Sequence, residues 1–383
     1  MSLLHPINPR TFGLALFVAL AVTNAAPALD TPAKQAILID DVTGTVLFEK
    51  NADDLMPPSS MSKIMTVYMV FERLGEGSLK LEDTLPVSEK AWRKGGSKMF
   101  VELGSRVTVE DLLRGIIVQS GNDATIVVAE GLAGEEALFA DEMTELARSL
   151  GLASSTFRNA SGWPDDEHMV TARDMALLAH LTIHNFPQYY GYYLELEFTY
   201  NNIRQGNRNP LLYKKIGADG LKTGYTEAAG YGLAGSTVRD GRRLILVING
   251  LESAGQRSRE AERLIEYGYR EFTNYPLFEA GETVADAEIW LGDKATVSLV
   301  LEQDLVTTLG RKARRKMAIK VVYDGPIPAP IARGTPIARL ILTAPNTETI
   351  ELPLVAGADV AMLGPISRIG AAIRYLIFGA STP

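Results

Sequence analysis

The most constraining stretch of the chain is Pro57-Pro58-Ser59-Ser60-Met61-Ser62-Lys63, followed without a break by Ile64-Met65-Thr66-Val67-Tyr68-Met69-Val70-Phe71. A helix with no polar face has to be buried, so the rest of the chain must be organised around this one. Proline is tolerated up to the first turn of a helix and serine is a favoured cap, which predicts a helix starting near Ser59 or Ser60. Ser60 and Lys63 then share one face of the first turn at i and i+3. A hydroxyl beside an amine is a nucleophile with its own base. An isolated Ser-x-x-Lys is ordinarily a capping serine and a solvated lysine. Here the apolar run leaves Lys63 no polar face to escape to, and burial lowers an amine's pKa enough for it to act as a base.

The 383 residues suffice for two domains, and 46% hydrophobic with 22% charged residues is an ordinary globular balance. A formal net charge of −8 with no basic arm argues against nucleic acid as a partner. Cysteine is absent, which removes disulfides, thiol nucleophiles and cysteine-based zinc sites. Residues 1–10 are loosely polar. An uncharged run from Phe12 to Val22 follows and ends in the small residues Asn24-Ala25-Ala26. That run is too short to span a bilayer comfortably and reads as a signal peptide over 1–26, with an uncleaved anchor as the rival.

Two hairpins bracket the next part. Residues 36–40 and 45–49 flank Val42-Thr43-Gly44, while 232–238 and 244–249 flank Arg239-Asp240-Gly241. Between them lie helical patterns opening at Val109 and running from Asp174 to His184, a loop over 92–100, and an aromatic, strand-like stretch over 189–200. A closing helix is expected over 256–272. The economical fold is α+β: an antiparallel sheet assembled from both hairpins and packed with helices, plus a helical subdomain. Composition changes near Tyr275-Pro276, and short alternating strands with Gly and Pro turns then predict a small all-β domain. The expected domains are 27–274 and 275–363. In the tail, 364–383, Ile366, Ile369, Ile373, Leu376 and Ile377 share one helical face, with Arg368 and Tyr375 opposite. This pattern suits a helix lying in a membrane surface, the alternative being one docked on its own β domain.

Two further motifs change the weight of Ser60. Ser120-Gly121-Asn122 forms a turn between apolar helices that can aim a hydroxyl and an amide into a cleft. Lys222-Thr223-Gly224 lies on a strand where glycine permits close backbone approach. Alone, the first is a helix break and the second a common tripeptide.

In this order, Ser-x-x-Lys, Ser-x-Asn and Lys-Thr-Gly resemble the signature of penicillin-binding proteins and class A β-lactamases. Residues 36–272 are similar to the low-molecular-weight penicillin-binding proteins that act as D-alanyl-D-alanine carboxypeptidases. Ser97-Lys98-Met99-Phe100, Ala172-Arg173-Asp174-Met175-Ala176 and Arg204-Gln205-Gly206-Asn207-Arg208-Asn209 add to the likeness. A signal peptide, a β-rich second domain and an amphipathic anchor complete that family's layout.

The resemblance implies Ser60 as nucleophile, Lys63 as base, Ser120 as proton relay and Asn122 as a holder of Lys63 and substrate. It implies Lys222 and Thr223 as carboxylate binders, and the N–H groups of Ser60 and Tyr225 as the oxyanion hole, with Gly224 between. It places Arg259 near the carboxylate. The implied substrate is the peptidoglycan stem peptide, with β-lactams as acylating partners, no cofactor, and a location on the periplasmic side of the inner membrane. The alternatives are a cross-link D,D-endopeptidase or a catalytically weak penicillin-binding cell-wall protein. Tyr225 stands where several relatives carry His, a departure that bears on the deacylation rate and its pH dependence. No Glu-x-x-Leu-Asn segment precedes Lys222, which favours slow penicillin turnover over lactamase action. His180 and His184 stand at i and i+4, but no glutamate lies between them, so a structural role is expected and no metal.

Overall fold

The computed structural model describes residues 29–345, 347–367 and 369–370. The expected signal peptide and most of the tail's apolar face, including Ile373, Leu376 and Ile377, lie outside these residues. Everything below refers to the unit that begins at Pro32, apart from the short described stretch 29–31 before it.

Strands β1 (Gln35–Asp40) and β2 (Val46–Lys50) form the first hairpin. A 3-10 turn over Ser59–Ser62 leads into α1 (Lys63–Glu76), so the regular helix starts at Lys63, a turn later than the capping pattern implies. Every residue from Lys63 to Phe71 is buried, as a helix without a polar face requires. Strand β3 (Thr84–Pro86), α2 (Glu89–Arg93) and β4 (Arg106–Thr108) follow; Ser88 caps α2, whose last two residues take up the start of the expected 92–100 loop. Helices α3 (Val109–Ile117), α4 (Asn122–Ala133) and α5 (Glu136–Ser149) build the helical part, and α6 (Ala172–Asn185) returns to the sheet.

The aromatic stretch after α6 is mostly not strand. Pro187 presets α7 (Pro187–Tyr190), a 3-10 turn follows, and Tyr193 is fully buried edge-on to Phe71 of α1. Only β5 (Glu197–Tyr200) and β6 (Ile203–Gly206) are extended there. Strands β7 (Ala218–Thr226), β8 (Gly230–Arg239) and β9 (Arg242–Leu251) then complete the sheet, and α8 (Ala254–Glu271) closes the part.

The sheet order is β2-β1-β9-β8-β7, antiparallel throughout, so strands from both ends of the part do meet at its centre. Alternate residues of β1 face opposite layers: Ile37 packs into the core that contains α1 and α6, while Leu38 lies against Gly268 of α8. Covered on both faces, β9 can carry the unbroken run Leu244-Ile245-Leu246-Val247-Ile248. Strand β7 is an edge.

From α8 the chain passes directly into β10 (Phe272–Phe278), β11 (Thr283–Trp290), β12 (Thr296–Val300) and β13 (Leu305–Gly310). After α9 (Arg311–Arg314) come β14 (Ala318–Val322), β15 (Ile327–Pro328), β16 (Pro336–Thr343) and β17 (Ile350–Ala356). Strand β10 pairs with β13, and the others form a six-stranded sheet in the order β14-β16-β17-β12-β11-β15 over a separate apolar core. A polar junction ties this β domain to the first part. Buried Asp40 accepts Arg242 Nε (2.7 Å) and Asn274 Nδ2 (3.1 Å), and Thr43 Oγ1 meets Thr308 Oγ1 at 2.6 Å. The tail is helical at 365–367 and 369–370, with Ile366 and Ile369 exposed.

Candidate active site

The 3-10 turn before α1 is held in place by glycines. Ser59 adopts a left-handed φ of 46°, and Gly162, also left-handed, lies so close that a Cβ there would stand 1.7 Å from Ser59 O. A Cβ on Gly224 of β7 would stand 2.6 Å from Ser59 Oγ and 2.9 Å from Pro58 O. The third residue of Lys-Thr-Gly is therefore glycine because the edge strand presses on the turn that carries Ser60. Behind the turn, His168 Nδ1 accepts the Arg158 N–H (3.2 Å), which puts the ring proton on Nε2. Nε2 donates to Ser62 Oγ (2.9 Å), and Ser62 donates to Ser59 O (2.8 Å). Burial pushes the imidazole down to about 4, so His168 braces the turn as a neutral ring.

Lys63 is fully buried, and its amine donates to Ser60 Oγ (2.9 Å), Asn122 Oδ1 (2.8 Å) and Ser161 O (2.7 Å). Burial first, then the charges of Arg208 and Lys94, lower its pKa to about 7 against the opposing pull of Asp123. A lysine that is neutral near physiological pH can take the serine proton. Asn122 is oriented from its other end, where Nδ2 donates to Gly95 O (3.0 Å). Ser120, at φ 67°, sits in the turn between α3 and α4, and its residue lines the same cleft.

The cleft is about 860 Å³, and Ser60, Ser120, Asn122, Thr223, Gly224 and Tyr225 all line it. Lys222 is buried beneath the edge strand, donating to Thr223 O (3.2 Å). Burial, with Lys63, Arg208 and Arg257 nearby, holds its amine well below the ordinary lysine value. Tyr225 is half exposed, its ring 4.2 Å from that of Tyr231. The motifs thus converge, and the guanidinium groups of Arg208 and Arg257 line the same cleft.

Arg259 does not join them. The buried face of α8 is Arg257, Glu260, Ala261, Leu264, Ile265 and Gly268, which leaves residue 259 on the outward side. Arg257, two residues earlier, lines the cleft instead, with its guanidinium 5.7 Å from the centre of the Tyr231 ring. Sequence reading also passed over Arg208, which donates to Ser97 and lines the cleft, and Asp123. The fully buried Asp123 carboxylate accepts the N–H groups of Met99, Phe100, Val101 and Ala124, so it fixes the loop that carries Gly95 and Ser97. Its place immediately after Ser-Gly-Asn was the available signal.

Comparison with known proteins agrees with this arrangement. Residues 21–253 match the family described as D-alanyl-D-alanine carboxypeptidase, and residues 272–362 match the penicillin-binding protein 5 C-terminal domain. The chain is 35% identical over 380 residues to the D-alanyl-D-alanine carboxypeptidase DacC of Escherichia coli K12, covering 96% of this chain and 94% of that one. Penicillin-binding protein 5 from Haemophilus influenzae is similar in structure at a TM-score of 0.78, with 33% identity, over 87% of this chain and 99% of that one. The ampicillin-bound form of penicillin-binding protein D2 from Listeria monocytogenes aligns at a TM-score of 0.59 and 31% identity, over 63% of this chain and 99% of that one. With its serine and lysine on one buried turn and its match running through both domains, the chain belongs to the D-alanyl-D-alanine carboxypeptidase family of penicillin-binding proteins.

Proposed function

We propose that this serine-type D-alanyl-D-alanine carboxypeptidase works through an acyl-enzyme on Ser60, with Lys63 as its base. The observation that carries the reading is the 2.9 Å contact between Lys63 Nζ and Ser60 Oγ, made by an amine held near neutrality. Ser60 Oγ attacks the carbonyl carbon of the penultimate D-alanine while its proton passes to Lys63. The C–N bond then breaks, and the proton reaches the departing amine through Ser120. Water hydrolyses the ester and restores Ser60. The N–H groups of Ser60 and Tyr225 serve the developing oxyanion, worth a few kcal/mol in such sites.

Thr223, Lys222, Arg208 and Arg257 suit the terminal carboxylate. That charge supplies the counter-ion the buried cations lack, and it raises Lys222 back toward its charged form. A β-lactam carries a carboxylate beside a reactive carbonyl and would acylate Ser60 in the same way. The pentapeptide of peptidoglycan is the substrate this site suits.

The pattern of residues 1–26 supports export. The exposure of Ile366 and Ile369 at the start of the tail supports a helix lying on the outer face of the inner membrane. No helix among the described residues is long and apolar enough to cross a membrane.

The test pairs intact-mass measurement after incubation with penicillin and release of D-alanine from a diacyl-D-Ala-D-Ala peptide. A penicilloyl adduct that disappears in Ser60→Ala, together with D-alanine release, is the expected result. An adduct without release would point to cross-link cleavage, and no adduct would overturn the role of Ser60.

A further inference from the structure

The two histidines of α6 meet a third donor that their spacing does not reveal. Asp41, which follows β1, places Oδ1 2.7 Å from His180 Nδ1 and Oδ2 2.8 Å from His184 Nε2. The imidazole rings are 4.4 Å apart between centroids, and one ligand atom from each of the three residues lies within 4.8 Å of the others. From this convergence we propose that Asp41, His180 and His184 form a binding site for a single divalent transition-metal ion of the zinc type, outside the catalytic cleft. Two imidazoles and one carboxylate with open positions are a donor set that zinc and its neighbours accept. No glutamate stands between the two histidines at HExxH spacing to make such an ion hydrolytic, so its work would be to staple the last turns of α6 to the β1–β2 turn.

The burial pattern suits that use. Asp41 is only 3% exposed, whereas the side chains of His180 and His184 are 35% and 51% exposed, so the anchor is fixed and water can complete the coordination shell. The nearby cation, Arg243, has its Nε 3.8 Å from Asp41 Oδ2, but its Nη1 is engaged by Asp219 at 2.6 Å, which offsets its charge. Nitrogen and oxygen ligands at roughly 2.0–2.1 Å from zinc stand about 3.3 Å apart in a tetrahedron. The observed contacts of 2.7 and 2.8 Å therefore have to open by about half an ångström, which the exposed ring of His184 can do by rotating. Competition within the chain is slight. It has no cysteine and four histidines, of which His168 is buried in hydrogen bonds to Ser62 and Arg158.

The experiment uses untagged, chelator-treated protein titrated with Zn2+ by calorimetry and thermal melting, with Co2+ absorption as the spectroscopic readout. The expected result is one equivalent bound at micromolar concentration and tetrahedral or five-coordinate Co2+ bands. A melting rise of about 3 °C or more at a hundredfold excess over Kd should accompany them. All of these should be lost in His184→Gln, whose ring is exposed enough for the fold to tolerate it, and in Asp41→Asn. D-alanine release should persist in His184→Gln and after chelation. Absence of binding at 100-fold excess over micromolar protein would overturn the site, and so would binding that survives both substitutions.

Discussion

Lys63 shows how far one residue's environment can decide chemistry. Its folded pKa, near 7, lies below its unfolded value of 10.5, so the unfolded chain holds the extra proton between those limits. The burial of this amine therefore costs stability in full below pH 7, and the cost fades as pH rises toward 10.5. With Lys63 as the proposed base, catalysis should follow the same proton. Acylation by penicillin should climb about tenfold per pH unit below 7 and level above it, read as the second-order rate constant against pH. Lys63→Arg keeps the charge but cannot release it, and should lower that rate by about 10²–10⁴ with the acid limb abolished.

At the scale of elements, the site is a meeting of one turn, one edge strand and one interhelical turn. Their spacing is set by the absence of side chains. Gly224→Ala would drive a methyl into Ser59 Oγ and Pro58 O, both part of a turn that His168 and Gly162 hold from behind. Overpacking of that kind costs about 1–3 kcal/mol of stability, and a displacement of Ser60 of even 1 Å can cost about 10²-fold in rate. The expected outcome is a cooperative fold with a lower melting temperature and at least a tenfold loss of kcat/KM for the diacyl peptide. An unchanged kcat/KM would mean that β7 does not set the position of Ser60. The sequence made much of this legible, because buried apolar runs and hairpins are local patterns. It misplaced the arginine of α8 because a choice between residues 257 and 259 depends on helix phase relative to the sheet. It missed Asp123 and Asp41 because their partners are backbone amides and histidines far away in sequence. The strand-like aromatic stretch failed for a related reason: Tyr190 is buried against Gly220 of β7 and Tyr193 against Phe71 of α1, and this tertiary packing overrode β propensity.

At the scale of the whole molecule, Asp40 is the joint. It is buried against Arg242, it also accepts the N–H groups of Val42 and Thr43, and it receives Asn274 from the β domain. Asp40→Ala would leave Arg242 buried without its counter-charge, a loss of about 3–5 kcal/mol in urea unfolding, with easier proteolytic release of the β domain. A smaller loss with intact docking would place the joint at Thr43 and Thr308 instead. Because a side chain at position 162 or 224 would strike the turn that carries Ser60, the floor of the cleft gives little room to inherited novelty. Selection for a different stem peptide, or for escape from a drug that mimics one, has its freest ground on the rim, where Trp163, Tyr225 and Glu227 stand open to solvent. Lineages of this enzyme should therefore diversify around the mouth of the cleft while its floor stays the same.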